Sequence, residues 1–295
     1  VIECIPNISE GRDRDILRRA VDAVAVSGCG VLDLHADPDH NRSVLTFIGC
    51  ESDLLDGVLA LVRLTTAKID LRAQRGVHPR MGATDVIPFV PLEGGTMSDC
   101  VQLARRVGQA IGEQLAIPVF LYEAAATSAQ RRNLATIRKG QFERLTDKLH
   151  RAEWAPDFGP QTPHPTAGIV AIGARRFLVA FNVVLETGEL AVATQIATRI
   201  REANGGLKGV KALGLPLASR GLVQVSMNLT DIDATNLLVA FERVRDEASD
   251  RGINVVESEI VGLVPRAAIG EATTESIRLD RDLESVVLEN RLVRR

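Results

Sequence analysis

Residues 75 to 91 read RGVHPRMGATDVIPFVP, and three of them can act on a substrate. His78 carries an imidazole, the side chain that exchanges protons near neutral pH. Pro79 restricts its own backbone and biases His78 toward an extended conformation, which points the ring in a fixed direction. Arg80 suits a carboxylate, because the guanidinium fork binds both oxygens. Asp85 is placed to accept from the imidazole. The same string also reads as a turn, bracketed by Gly76 and Gly82, whose histidine bonds its own loop.

A second string, DPDHNRSVLTF at 37 to 47, packs two carboxylates, a histidine, an amide and a guanidinium into one interstrand loop. Loops between strands carry function more often than the scaffold does. A solvated hairpin held by Asp and Asn turn bonds is the other reading. His35 and His40 stay ambiguous, since their spacing alone makes no metal site. NISEG at 7 to 11 reads as a helix start with Glu10 near the dipole. His150 reads as a solvated helix residue. His164, between two prolines, is either a pocket wall or plain surface.

Several chemistries lack their motifs. The sequence has no GxGxxG after a strand, no Walker A motif, no HExxH, no GxSxG and no clustered His/Cys ligands. A net charge of −3 argues against a basic nucleic-acid or membrane-surface binder. Aromatics at 3% make a base-stacking platform improbable. No apolar run approaches the ~20 residues that span a bilayer, and residues 1 to 9 lack a signal-peptide layout. Cys4, Cys29, Cys50 and Cys100 form no CxxC pair and read as reduced thiols of a cytoplasmic protein.

The elements that must position these strings alternate. Strands are expected at 1–6, 31–34, 43–49, 85–90 and 117–121, with helices at 12–26, 53–71 and 97–115. Ser9 is the expected cap of the first helix. The second half repeats the order, with strands at 177–185, 210–218, 222–229 and 253–264, and helices at 190–203, 236–251 and 279–288. Each half thus follows β-α-β-β-α-β order, the split pattern of ferredoxin-like folds. The expected architecture is α/β (α+β): two subdomains, 1–175 and 176–295, each a mostly antiparallel sheet with helices on one face and a groove between the two. Residues 153 to 168, EWAPDFGPQTPHPTAG, hold four prolines and read as an ordered loop crossing between the domains.

Taken together, ECIPNISEG, HNRSVLTFIG, GVHPRMGATDVIPFVP, VFLYEAA, AEWAPDFGP, ARRFLVAFNV and IVGLVP resemble the formiminotransferase domain of formimidoyltransferase-cyclodeaminase. The strings run from residue 3 to residue 265 in that family's order. The resemblance implies transfer of a formimino group from N-formimino-L-glutamate to tetrahydrofolate, in histidine degradation, by a cytoplasmic homodimer of two-subdomain chains. Tetrahydrofolate would be the co-substrate, with no metal or nucleotide.

The family's catalytic histidine falls on His78. Its folate-binding segment falls on Gly159, Pro160, Gln161, Thr162, Pro163, His164, Pro165, Thr166, Ala167 and Gly168, where the animal enzymes are richer in Ser, Phe and Trp. Both substrates carry carboxylates, so charge makes Arg42 and Arg80 candidate anchors. Asp39 and Asp85 join them as expected substrate-binding residues. Bifunctional members add a cyclodeaminase domain; with the chain stopping at Arg295, transfer without deamination is the expectation. Two other classes stand beside this one: another one-carbon folate enzyme, such as 5-formyltetrahydrofolate conversion, and a non-catalytic folate-binding or regulatory module.

Overall fold

The structure, a computed structural model, describes residues 1–293. It divides into two compact units, Val1–Arg176 and Phe177–Arg295.

The first unit runs β1 (Ile2–Cys4), β2 (Asn7–Ile8), α1 (Arg14–Val26), β3 (Gly30–Asp37), β4 (Arg42–Gly49), α2 (Glu51–Lys68), β5 (Thr84–Pro91), α3 (Met97–Leu115), β6 (Val119–Glu123), α4 (Leu134–Arg138), α5 (Leu145–Leu149) and β7 (Val170–Ala174). Pro6 splits the first strand, since it has no N–H for the ladder. β3 and β4 form a hairpin; β4 pairs with β1 and β2, which pair with β5, all antiparallel. This is the βαββαβ arrangement that the strand-helix order predicts. β7 then pairs parallel to both β5 and β6, extending the sheet.

One face of the sheet meets α1, α2 and α3 around Phe47, Phe89, Leu54, Leu61, Leu103 and Ile111. Over β5, β7 and β6 the other face is covered too. There Val86, Phe120, Tyr122 and Ala171 pack against Ile137, Leu145, Leu149 and Trp154. Burial on both faces explains why DVIPFVP shows no polar alternation.

Residues 153–168 are not the crossing loop between the units that the proline count leads one to expect. They return the chain from α5 to β7 inside the first unit. Asp157 accepts from the Leu121 amide at 2.8 Å, pairs with Arg131 at 2.8 Å and takes the Thr127 hydroxyl. Phe158 lies on Gly108 of α3, and a Cβ on Gly112 would come within 2.6 Å of the Gly159 nitrogen. The helix therefore needs glycines on that face. Ser9 is not the cap of α1. Asp13 caps it, accepting from the amides of Asp15 and Ile16, while the Ser9 hydroxyl donates to the Gly82 carbonyl at 2.7 Å.

The second unit comprises β8 (Val179–Leu185), α6 (Leu190–Ile200), β9 (Val210–Leu217), β10 (Leu222–Leu229), α7 (Leu237–Ser249), β11 (Val255–Val261) and α8 (Leu288–Leu292). Its four strands are antiparallel in the order β11-β8-β10-β9, with α6 and α7 over the core. The helix expected at 279–288 is broken. The Val264 amide donates to the Val286 carbonyl and the Leu288 amide to the Val264 carbonyl, each at 2.9 Å, so this stretch forms a bridge instead.

Phe181 and Phe241 are buried together in this core. Phe181→Ala is expected to cost about 3–5 kcal/mol of stability, read as a lowered urea midpoint; an unchanged midpoint would contradict this packing.

Candidate active site

The β3–β4 turn and the loop carrying His78 are locked together by side-chain-to-backbone bonds and close backbone contacts. Asn41 takes a left-handed conformation (φ 49°). Its side chain accepts from the Gly11 amide at 3.0 Å and donates to the Arg75 carbonyl at 2.9 Å. Gln74 donates to the Asn41 carbonyl at 2.9 Å. A Cβ on Gly76 would lie 2.1 Å from the His40 carbonyl oxygen, and one on Gly82 would lie 2.0 Å from that of Ile169. Both ends of the His78 loop are thus pressed against other backbone, and only glycine fits.

Asp85 lies beneath this loop, fully buried. Its Oδ2 accepts from Arg42 and Arg138, each at 2.9 Å, and its Oδ1 accepts from the amides of Met81 at 2.7 Å and Gly82 at 3.2 Å. Burial alone would raise its pKa. The guanidiniums of Arg138 and Arg42, with the Met81 amide, outweigh burial and hold the carboxyl below the ordinary range. Instead of the expected bond from the imidazole, both Asp85 oxygens accept from guanidiniums and amides inside the protein. Arg42 also donates to Asn7 Oδ1. Burial pulls Arg42 down to about 10, which leaves it charged at neutral pH.

His78 is partly exposed above this cluster. Its Nδ1 lies 2.8 Å from the Pro79 carbonyl. A carbonyl only accepts, so Nδ1 carries the proton and Nε2 keeps its lone pair. Desolvation, then repulsion by Arg42 and Arg138, pushes the imidazole pKa well below its ordinary value, with Asp85 opposing in part. The ring is neutral at pH 7 and offers a base. His40 stands edge-on to it, with ring centroids 6.1 Å apart, and its Nδ1 bonds Asp37. Asp39, in the same turn, lends its backbone carbonyl to the Val77 amide at 3.5 Å.

Arg80 is buried and engaged: Nε donates to Gln74 at 2.8 Å, Nη1 to Glu143 at 2.7 Å and Nη2 to the Leu71 and Gln74 carbonyls. Thus Arg42 and Arg80, the expected anchors for substrate carboxylates, already hold carboxylates of the chain itself. A cleft of about 610 Å³ opens beside Glu143. Leu71, Arg72, Arg75, Phe142 and Thr146 line it, together with Thr162, Pro163, His164 and Pro165. His164 Nδ1 accepts from the Ala167 amide at 3.0 Å, so that ring is fixed as the Nε2–H tautomer.

The rest of the expected folate segment is occupied with packing. Gly159 abuts the Ile117 carbonyl, and Pro160 follows it, half-buried. Gln161 donates to the Leu149 carbonyl at 2.9 Å. The Thr166 and Ala167 carbonyls accept from Leu71 and Ala83, and Gly168 bridges to Gly82.

A family model for the formiminotransferase domain, N-terminal subdomain, matches residues 1–175, and one for the formiminotransferase domain matches residues 180–295. The chain belongs to the formiminotransferase family. A protein from Streptococcus pyogenes named glutamate formimidoyltransferase is 42% identical over 99% of both chains. One of the same name from Thermoplasma acidophilum is 45% identical over 99% of this chain and 97% of its own. The formimidoyltransferase-cyclodeaminase of Sus scrofa is 43% identical over 92% of this chain, which spans 51% of that relative's length.

Within this formiminotransferase chain, sequence reasoning missed Arg138 and Arg75. Arg138 lies in LATIRKG, which carries no motif; only the three-dimensional return of α4 over β5 brings it to Asp85. Arg75 precedes the His78 string; its guanidinium donates to the carbonyls of Arg72 and Gln74 and reaches the Glu143 carboxylate through its charge, with no direct ion pair among the described residues.

The depressed pKa of His78 fixes a sign. Between its folded value and ~6.5, the unfolded chain binds more protons than the native one, so stability falls as pH drops below ~6.5. His78→Gln should reduce that slope in urea midpoints measured from pH 8 to pH 5, leaving a smaller contribution from His164, which burial also depresses. Identical slopes in the two proteins would contradict a His78 held neutral by its surroundings.

Proposed function

We propose that this chain transfers the formimino group of N-formimino-L-glutamate to N5 of tetrahydrofolate, releasing 5-formiminotetrahydrofolate and L-glutamate. The full-length likeness to relatives named glutamate formimidoyltransferase carries the reading. His78 supplies its mechanism. N5 attacks the formimino carbon, and a tetrahedral adduct forms in which N5 holds an extra proton. His78 Nε2 takes that proton. The glutamate nitrogen gains one as its bond to carbon breaks, so no net proton is consumed.

A base of low pKa suits this step, because it stays unprotonated at neutral pH and returns its proton readily to the departing amine. Folate is proposed to enter the cleft, with Phe142 and the prolines 163 and 165 beside its rings and Arg75 on the carboxylate of its glutamate tail. Arg75 is preferred to Arg42 and Arg80 because it is exposed beside the cleft and, unlike them, makes no direct ion pair with a carboxylate among the described residues.

The four free thiols suit the reducing cytoplasm that the family reading implies. A homodimer and a place in histidine degradation belong to the same reading.

The test is a spectrophotometric assay with tetrahydrofolate and formiminoglutamate. His78→Ala should lower kcat by roughly 10²–10⁴-fold while folate still binds. Arg75→Ala should raise KM for tetrahydrofolate and leave kcat near normal. A near-normal kcat in the His78 variant would return that residue to a turn role; an unchanged KM in the Arg75 variant would remove the anchor.

A further inference from the structure

Asp37 and His40 take no part in the mechanism above, yet they stand against its base. The β3–β4 turn brings them together. The His40 amide donates to Asp37 Oδ1 at 2.9 Å, and His40 Nδ1 bonds Asp37 Oδ2. A carboxylate accepts, so His40 Nδ1 carries a proton. The His40 ring is buried and meets the His78 ring at 87°, an edge-to-face contact within the usual 4.5–7 Å range for such pairs.

Charge around His78 is unbalanced without this pair. Arg42 from β4 and Arg138 from α4 are cationic, and the Asp85 carboxylate from β5 is bonded to both. Protonating His78 adds a further positive charge to this cluster. Asp37 supplies a second carboxylate, separated from His78 by one imidazole ring. Its own pKa is depressed: burial would raise it, but the side-chain and backbone bonds from His40 outweigh burial, so it is ionised at neutral pH. Asp39 completes the turn on the side of Val77.

We propose that the Asp37–His40 pair positions the His78 ring and steadies its protonated form during transfer. His40 acts through His78 and not on substrate, so it is a positioning residue. Its ring limits rotation of His78 on one side while the Pro79 carbonyl fixes Nδ1 on the other. The proton taken from N5 then rests on His78 Nε2 close to the compensating carboxylate, until it passes to the glutamate nitrogen as the carbon–nitrogen bond breaks. The pair raises what Arg42, Arg138 and desolvation lower, keeping the base strong enough to accept the proton. This inference rests on His78 being the base.

The test compares Asp37→Asn, which keeps an acceptor for the His40 amide but removes charge, with His40→Phe, which keeps a ring but removes the bond to Asp37. Each is measured alone and with His78→Ala, using tetrahydrofolate and formiminoglutamate across pH 5 to 9. Asp37→Asn should move the acid limb of kcat/KM to lower pH by roughly half a unit, since loss of a negative charge disfavours the imidazolium. His40→Phe should lower kcat roughly tenfold with KM for tetrahydrofolate unchanged, and neither variant should add to the loss caused by His78→Ala. NMR titration of His78 in Asp37→Asn should show the same downward shift without reference to activity, and the kcat of His40→Phe tests the positioning role if Asp37→Asn does not fold. An acid limb and a His78 titration that stay in place in Asp37→Asn, or a normal kcat in His40→Phe, would overturn the pairing while leaving His78 as base. A normal kcat in His78→Ala would overturn both.

Discussion

The carboxylate of Asp85 organises the site. It is fully buried, and it holds two guanidiniums and two amides at once. Removing it would leave Arg42 and Arg138 as uncompensated cations in the interior, an arrangement costing about 3–5 kcal/mol. Because Met81 and Gly82 donate to it, the backbone after His78 is fixed from below. Because Arg42 and Arg138 converge on it from β4 and α4, two positive charges stand near the imidazole. One interaction therefore sets both where His78 sits and how reluctantly it takes a proton.

The scaffold serves this arrangement. The β3–β4 hairpin brings Asp37, His40 and Arg42 to one end, and the close approaches at Gly76 and Gly82 press the His78 loop onto it. The parallel insertion of β7 brings residues 162–168 back beside the same loop. Leu71, Arg72 and Arg75 line the cleft and His78 stands near the charge cluster, so a proposed folate site and a proposed base share one short stretch of chain.

Much of this was legible from pattern. The β-α-β-β-α-β order of each half follows from hydrophobic spacing, and His78 with Asp85 stands out in the sequence because Gly and Pro restrict the segment around it. What pattern could not show was partnership. Arg42 and Arg80 look like anion anchors in a linear string, since charge alone does not reveal that Asp85 and Glu143 fold back to meet them. Residues 153–168 look like a linker because four prolines exclude regular structure, but the same prolines permit a rigid return to β7 once Asp157 and Phe158 are tied down. Arg138 was hidden because its role depends on a helix of five residues with no sequence signal of its own.

The claim at the centre of this account is that the Asp85 cluster holds His78 as a neutral base protonated on Nδ1. Nitrogen-15 NMR of the imidazole rings, followed through a pH titration, measures both properties directly. The account expects the His78 ring to show the Nδ1–H tautomer at neutral pH, to titrate below ~6.5, and to titrate higher in Arg138→Gln, where one repelling charge is gone. A His78 that titrates at or above the ordinary imidazole value, or that is unmoved by loss of Arg138, would contradict it.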